Sequence, residues 1–166
     1  MTRLAKTLVA TTLILASCGI EAGNVRTGPA PLCDTSSRGM LILMAQAVPS
    51  ADLIPCLNTL PAGWVVERAE IETGSAEISI DGGSVGDVIL ELEPSCDPAG
   101  ESVGSGPTPG VDAFEALADD EVVRYFVFAG GCVKVIAPNR LAAGEMTSEI
   151  GFLTRDELRQ ASGLEL

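Results

Sequence analysis

Apolar and polar side chains alternate along three short segments in the middle of the chain, with one slip in the first. These segments are residues 66–71, 76–80 and 88–92. A period of two puts every second side chain on one face of a strand, so each segment predicts a strand with one buried face. Gly74-Ser75 and Asp81-Gly82-Gly83 lie between them and have the composition of tight turns. The pattern predicts an antiparallel meander of three strands.

Two further apolar segments, residues 122–128 and 132–137, flank a Gly-Gly turn and predict a second hairpin. Between the two groups of strands, residues 94–110 are rich in Pro and Gly and predict a surface loop. Residues 111–118 predict a helix, because their apolar side chains recur at helical spacing.

Two other parts of the chain carry helix signals. Residues 154–157 (Thr-Arg-Asp-Glu) fit a capping box, and Gly163 is placed to end the helix that follows. Residues 38–48 are apolar on almost every side, so they form either a buried helix or a buried strand. In either case Pro49 ends the element. Together these elements predict an α+β domain, in which an antiparallel sheet of about five strands carries helices on one face.

The composition excludes several classes of function. The chain has 166 residues, enough for one domain, and a formal charge of −13 from 23 acidic and 10 basic side chains. Because binding to nucleic-acid phosphates needs clustered Lys and Arg, we expect no nucleic-acid partner. The absence of His removes Ser-His-Asp and Cys-His catalysis and most zinc sites. We predict neither a metal ion nor a cofactor.

The N-terminus has the features of an export signal. Two basic residues precede an apolar run at 7–15, which is shorter than the roughly 20 residues of a membrane-spanning helix. The run ends in Leu15-Ala16-Ser17-Cys18. This order of a Leu, two small residues and a Cys resembles the lipobox of bacterial lipoproteins.

The resemblance implies that a signal peptidase cuts before Cys18 and that the Cys18 sulfur carries a diacylglyceryl group. Two acyl chains give stable attachment to a bilayer, at about 0.8 kcal/mol for each buried methylene. We expect a signal peptide at 1–17, a lipidated flexible tether at 18–31 and one globular domain at 32–166. The protein would then lie in the cell envelope, on the outer face of the cytoplasmic membrane or on an outer membrane.

The other four cysteines predict two disulfides that brace the domain, because exported chains with an even number of cysteines are usually oxidised. They are Cys33, Cys56, Cys96 and Cys132. Three pairings are possible, and the sequence alone does not select one. Because Cys96 and Cys132 follow strands that we expect to be neighbours, we favour joining these two, which leaves Cys33 for Cys56.

Parts of the domain carry a second resemblance. The segments that carry it are residues 45–50 (Ala-Gln-Ala-Val-Pro-Ser), 55–56 (Pro-Cys), 60–64 (Leu-Pro-Ala-Gly-Trp) and 130–133 (Gly-Gly-Cys-Val). They resemble segments of small, uncharacterised actinobacterial envelope proteins. This resemblance implies an envelope location and brings no activity or site residue with it.

Candidate chemistry in the domain is weak. Residues 81–87 contain two Asp but lack the register of an EF-hand, so they predict a polar turn. Ser102 and Ser105 have only Lys134 as a candidate base. Among 23 acidic residues some pair will have the spacing of glycosidase carboxylates by chance. We favour a place in the core for Trp64 over a place in a pocket. No catalytic residue is predicted.

Two hypotheses for the function remain. The favoured one is a non-enzymatic, membrane-anchored lipoprotein that binds a protein partner or another envelope component. The alternative is a small hydrolase of envelope glycans that uses two acidic residues. The alternative requires a concave cleft that holds two carboxylates, at least one with a raised pKa.

Overall fold

A computed structural model describes residues 24–26, 29–34, 36–98, 100–118 and 120–162. Within these ranges the chain has an α+β fold with ten strands and three helices. The strands are β1 Asn24–Arg26, β2 Leu53–Leu57, β3 Val65–Glu72, β4 Ser75–Asp81, β5 Val88–Glu93, β6 Glu101–Ser105, β7 Asp112–Ala118, β8 Glu121–Phe128, β9 Gly131–Ala137 and β10 Ile150–Thr154. The helices are α1 Arg38–Ala47, α2 Arg140–Glu149 and α3 Arg155–Ser162. The predicted signal peptide and Cys18 lie outside the described residues.

Eight strands form one antiparallel sheet in the order β1-β3-β4-β5-β9-β8-β7-β6, and β2 pairs with β10 in a separate two-stranded sheet. The predicted α+β class is confirmed, but the predicted number of about five strands is wrong. The five predicted strands are β3, β4, β5, β8 and β9, which are adjacent at the centre of the large sheet. Buried and partly exposed residues alternate strictly in two of these strands, β4 and β5.

Three other predictions differ from the structure. Residues 112–118 form strand β7, not a helix, and β6 lies within the predicted loop 94–110. The Ala, Glu and Leu of β7 favour a helix locally, but pairing with β8 along seven residue positions overrides that preference. Residues 24–26 of the predicted tether pair with β3 at the edge of the sheet. The open choice at 38–48 is resolved as a helix, α1.

Most buried side chains of the large sheet lie on one face, and Val123 and Cys132 are buried on the other. Directly paired residues share a face, and the row formed by Ile78, Leu90 and Val135 is almost fully buried. Helix α1 packs against β3 and β4, and helix α2 packs against β9, β8 and β5. The opposite face carries polar pairs such as Glu91 and Lys134. The helices therefore cover the apolar face, and the core lies between them and the sheet.

Two disulfides tie the loops to this framework. Cys33 is bonded to Cys56 in β2, with 5.0 Å between the Cα atoms, and Cys96 is bonded to Cys132 in β9, with 5.7 Å between them. This is the pairing that we favoured because Cys96 and Cys132 follow strands that were expected to be neighbours. The second bond fixes the segment that leaves β5 and crosses to β6 at the far edge of the sheet. No helix in the described part of the chain is long and apolar enough to cross a membrane.

Gly130, in the turn between β8 and β9, is one position where the fold requires glycine. Its φ is +70°, and a Cβ atom there would overlap the carbonyl group of Ser50. We expect Gly130→Ala to destabilise the protein by about 2–3 kcal/mol, because the strain of positive φ adds to the overlap. Gly83→Ala is the matched control, since Gly83 has a φ of +62° with open space around it. Thermal unfolding of both variants checks this, and equal shifts in Tm would show that the contact with Ser50 is unimportant.

The capping box at the start of α3 is present as predicted. The backbone N–H and the hydroxyl of Thr154 both donate to Glu157 Oε2, at 2.7 and 2.8 Å, and the Glu157 N–H donates to Thr154 Oγ1 at 3.1 Å. The bond from the Thr154 backbone, followed by the bond from its hydroxyl, lowers the pKa of Glu157 below its ordinary value. The carboxylate form therefore stabilises the folded state, although its exposure to water keeps the effect small.

This pKa shift predicts a pH dependence. The stabilisation is complete above the unfolded-state pKa of about 4.3 and is lost as the pH falls through the lower, folded-state pKa. We expect the Tm of the unmodified chain to exceed that of Glu157→Gln by about 1 °C at pH 7. The difference should vanish below pH 3. A difference that stays constant with pH would mean that the charge of Glu157 does not contribute.

Candidate functional site

The β6–β7 corner of the large sheet has an irregular edge. β6 pairs with β7 only, and all five of its residues are exposed. Ser102 pairs with Phe114 and Gly104 pairs with Ala113, so Val103 is an extra residue in a β-bulge. Bulges occur at sheet edges and beside functional sites, where they redirect a side chain and interrupt pairing. The bulge leaves Val103 59% exposed.

Two clefts open at this corner, and both are lined by Val103 and Glu115. We call the first, of about 400 Å³, the apolar cleft. It is lined by Val103, Ser105, Gly106, Pro107, Ala113, Phe114, Glu115, Arg124, Phe126 and Thr147. We call the second, of about 440 Å³, the charged cleft. It is lined by Gly100, Glu101, Val103, Glu115, Ala116, Leu117 and Arg140.

An ion-pair cluster separates the two clefts. Glu115 Oε2 accepts a hydrogen bond from Arg124 Nε at 2.9 Å, and Glu115 Oε1 lies 3.5 Å from Arg140 Nε. Arg124 also donates from Nη1 to the carbonyl of Ala143 in α2, at 3.4 Å. The side chains of Glu115 and Arg124 are 18% and 24% exposed, whereas that of Arg140 is 70% exposed. Arg124 is thus held within the fold, and Arg140 reaches Glu115 from the surface.

The register of the sheet explains why charge appears here. The row of buried residues on the covered face continues from Val135 to Arg124 and Glu115, and then to Glu101 on β6. Two carboxylates that face each other across neighbouring strands repel, and the two guanidinium groups offset this repulsion at Glu115. Glu101 is exposed and forms no ion pair among the described residues. The charged side chains that line the charged cleft are Glu101, Glu115 and Arg140, so its lining has a formal charge of −1.

Most residues weighed from the sequence lie away from this corner. Trp64 is buried in the core, as favoured. Residues 81–87 form a turn in which Asp81 Oδ1 accepts the Gly83 N–H at 2.6 Å. No group of three or more His, Cys, Asp or Glu in the described ranges is arranged to hold a metal ion.

The structure separates Lys134 from the two serines it was considered to activate. Ser102 and Lys134 lie in one row across the sheet, but β7 and β8 stand between them, which places them about 14 Å apart. Lys134 instead forms ion pairs with Glu91, at 3.2 Å, and with Glu93. Desolvation lowers the pKa of Lys134, but hydrogen bonds and charge from Glu93 and Glu91 outweigh it and raise the pKa. A lysine in this state is a poor general base.

Sequence reasoning missed the cluster of Glu115, Arg124 and Arg140. The three residues come from β7, β8 and α2, and only the register of the sheet brings them together. One local signal was present: Asn139 precedes α2, and its side-chain oxygen accepts the Ala142 N–H at 2.9 Å as an N-cap. That signal would have placed Arg140 at the start of a helix.

Comparison of the chain with protein-family models, with curated proteins and with solved structures finds no match. The chemistry of the two clefts therefore follows from their own residues. Their walls combine apolar side chains with an internal ion-pair cluster and one free carboxylate. Small-molecule and peptide sites have this composition, in which apolar surface supplies affinity and a few polar groups fix orientation.

Proposed function

We propose that the protein is a non-enzymatic lipoprotein, anchored outside the cytoplasmic membrane through Cys18, that binds a protein partner or envelope component at the β6–β7 corner. The lipobox at residues 15–18 supports the anchor. Two disulfides support export, because they persist in oxidising compartments. The observation that carries the binding role is the pair of adjoining clefts that share Val103 and Glu115.

The chemistry of the ion-pair cluster favours binding over catalysis. Glycoside hydrolysis needs one carboxylic acid that is protonated near neutral pH. Both carboxylate oxygens of Glu115 are instead engaged within the fold, Oε2 by a hydrogen bond from Arg124 and Oε1 by the ion pair with Arg140. An ion pair of this kind holds the wall of a cleft in place and presents polar groups to a ligand.

The anchor is tested by the mass of the N-terminal peptide from the natively expressed full chain. We expect a diacylglyceryl group on Cys18 at the new N-terminus and recovery of the protein in the membrane fraction. Cys18→Ala should remove both. The Cys96→Ala/Cys132→Ala double variant is the control, because it removes cysteines without touching the lipobox. An unmodified Cys18 thiol in the native protein would contradict the anchor.

The binding role is tested by crosslinking in intact cells. A photoreactive amino acid in place of Val103 should give a defined crosslinked product. The same amino acid in place of Val65 is the matched control, because Val65 is 53% exposed on β3 in the other half of the sheet. The same products from both positions would contradict a specific site at the corner.

One observation favours the hydrolase alternative, because Glu101 and Glu115 are two carboxylates that line a single cleft. Purified full chain incubated with cell-wall glycan should release no reducing ends if the protein only binds. Release by the unmodified chain that is abolished in Glu115→Gln would establish the hydrolase instead. Glu72→Gln serves as the control, because Glu72 is an exposed carboxylate at the end of β3.

A further inference from the structure

We infer that the two clefts bind a basic segment of a partner polypeptide, in which an apolar side chain lies next to Lys or Arg. The inference rests on the proposed binding role and specifies its ligand. The apolar side chain occupies the apolar cleft, and the cationic group lies in the charged cleft beside Glu101. The bulge at Val103 joins the two environments, because Val103 lines both.

Charge complementarity selects a cation. Glu115 is compensated by Arg124 and Arg140, but Glu101 lines the charged cleft without an ion pair among the described residues. A ligand cation can also displace the exposed Arg140, whose Nε is 3.5 Å from Glu115 Oε1. The formal charge of −13 attracts cationic partners over a longer range.

The apolar cleft favours an apolar side chain next to the cationic residue of the ligand. Its walls include Val103, Pro107, Ala113 and Phe126. Ala113 and Phe126 are directly paired across β7 and β8, and both are more than nine-tenths buried. A space of about 400 Å³ holds a side chain the size of Leu or Phe together with part of its backbone. An inorganic cation or a polyamine would leave this cleft unfilled.

Two other occupants are disfavoured. A second copy of this chain carries the same charge of −13 and would be repelled. Bilayer lipid is disfavoured by position, because β1 and β6 are opposite edges of an eight-stranded sheet, about 34 Å apart at the usual strand spacing. Six residues from Cys18 to Asn24 span at most about 20 Å. An anchor at Cys18 therefore holds the β1 edge near the membrane and leaves the clefts on the far edge.

The test measures peptide binding to the full chain carrying Cys18→Ser, which cannot carry a lipid on residue 18 whether or not the natural chain does. The probe is the acetylated and amidated peptide Gly-Ser-Leu-Lys-Leu-Lys-Ser-Gly, and calorimetry gives its Kd. One matched peptide has Glu in place of both Lys, and a second has Ser in place of both Leu. We expect the Lys-Leu peptide to bind more tightly than either, and more tightly at low salt. Equal binding of all three, or no binding, would overturn the inference.

The direction in which Arg140→Gln changes Kd distinguishes a cationic from an anionic ligand. Arg140→Gln removes a positive charge that competes for Glu115, so it should tighten binding of the Lys-Leu peptide about threefold. Glu101→Gln should weaken that binding by about the same factor. Glu72→Gln is the control and should change Kd little. Weaker binding in Arg140→Gln would overturn the proposed ligand charge.

Val103→Asn tests the apolar contact and should weaken binding of the Lys-Leu peptide, whereas Val65→Asn should not. Both valines are more than half exposed, so both variants should retain the fold, and thermal unfolding checks this. Unchanged Kd in folded Val103→Asn would overturn the role of the bulge. These measurements do not depend on lipidation, so failure of the inference is distinguishable from failure of the anchor.

Discussion

Replacing the four disulfide cysteines with Ala is expected to unfold most of the protein at 37 °C. The two bonds join residues separated by 23 and 36 positions in the chain. In the chain-entropy model, bonds of this span stabilise a fold by about 3.4 and 3.8 kcal/mol. Their combined contribution of about 7 kcal/mol is comparable with the whole free energy of unfolding of an ordinary domain, about 5–15 kcal/mol.

The two bonds should contribute separately, because they act in different parts of the fold. Cys33–Cys56 ties the segment before α1 to the small sheet, and Cys96–Cys132 ties the crossing segment to the centre of the large sheet. Either double variant, Cys33→Ala/Cys56→Ala or Cys96→Ala/Cys132→Ala, should lower Tm by about 7–14 °C. Circular dichroism on heating measures this.

Cys18→Ala is the matched control for removal of a cysteine, because Cys18 lies outside the described domain and takes no part in either bond. It should leave Tm unchanged in water. Treatment of the unmodified chain with a reductant should reproduce the fourfold variant. A reduced protein that retains its Tm within 2–3 °C would mean that the core alone supplies the stability.

The parts of the fold that could be predicted are those set by local pattern. The strands β4 and β5 follow strict alternation, and residues 82–87, which include a short 3-10 turn at Gly83–Val85, join them. Their burial patterns repeat that alternation residue by residue. The capping box of α3 involves only residues 154–157, so its hydrogen bonds could also be read from the sequence. In both cases the determining interactions lie within a few residues of each other.

The parts that could not be predicted depend on distant partners. β7 has helical composition, and it is a strand because β8 and β6 pair with it on both sides. β2 and β10 pair although about 95 residues separate them, and neither has a strong pattern of its own. The candidate site shares this origin. Glu115 meets Arg124 through register and Arg140 through the packing of α2, which no local signal specifies.

Arg155 takes part both in a local sequence pattern and in contacts with residues distant in the chain. Its place in the capping sequence of α3 was predictable, but its contacts are made 104 to 110 residues earlier in the chain. The guanidinium group donates Nε to the Ala51 carbonyl at 2.7 Å and Nη2 to the carbonyls of Ala45 and Val48, at 2.8 and 2.7 Å. Carbonyls at the end of a helix lack partners within the helix. Arg155 therefore serves as a C-terminal cap for α1 and fixes α3 against it.

We expect Arg155→Ala to lower the free energy of unfolding by about 3 kcal/mol, because three carbonyls in a mostly buried segment lose a charged donor. For a domain of this size the corresponding fall in Tm is about 6–12 °C. Arg155→Lys should recover only part of this loss, because a single ammonium group does not have the planar fork that reaches all three carbonyls.

Arg38→Ala is the control for loss of an arginine, since Arg38 is exposed at the first turn of α1. A positive charge at a helix N-terminus is slightly unfavourable, so this variant should be as stable as the unmodified chain or slightly more so. Urea unfolding of the three variants gives the comparison. If Arg155→Lys matched the unmodified chain, charge alone would account for the effect. The geometry instead requires that α1 and α3 separate more readily in the lysine variant, and hydrogen exchange of the amides in α3 would report that separation directly.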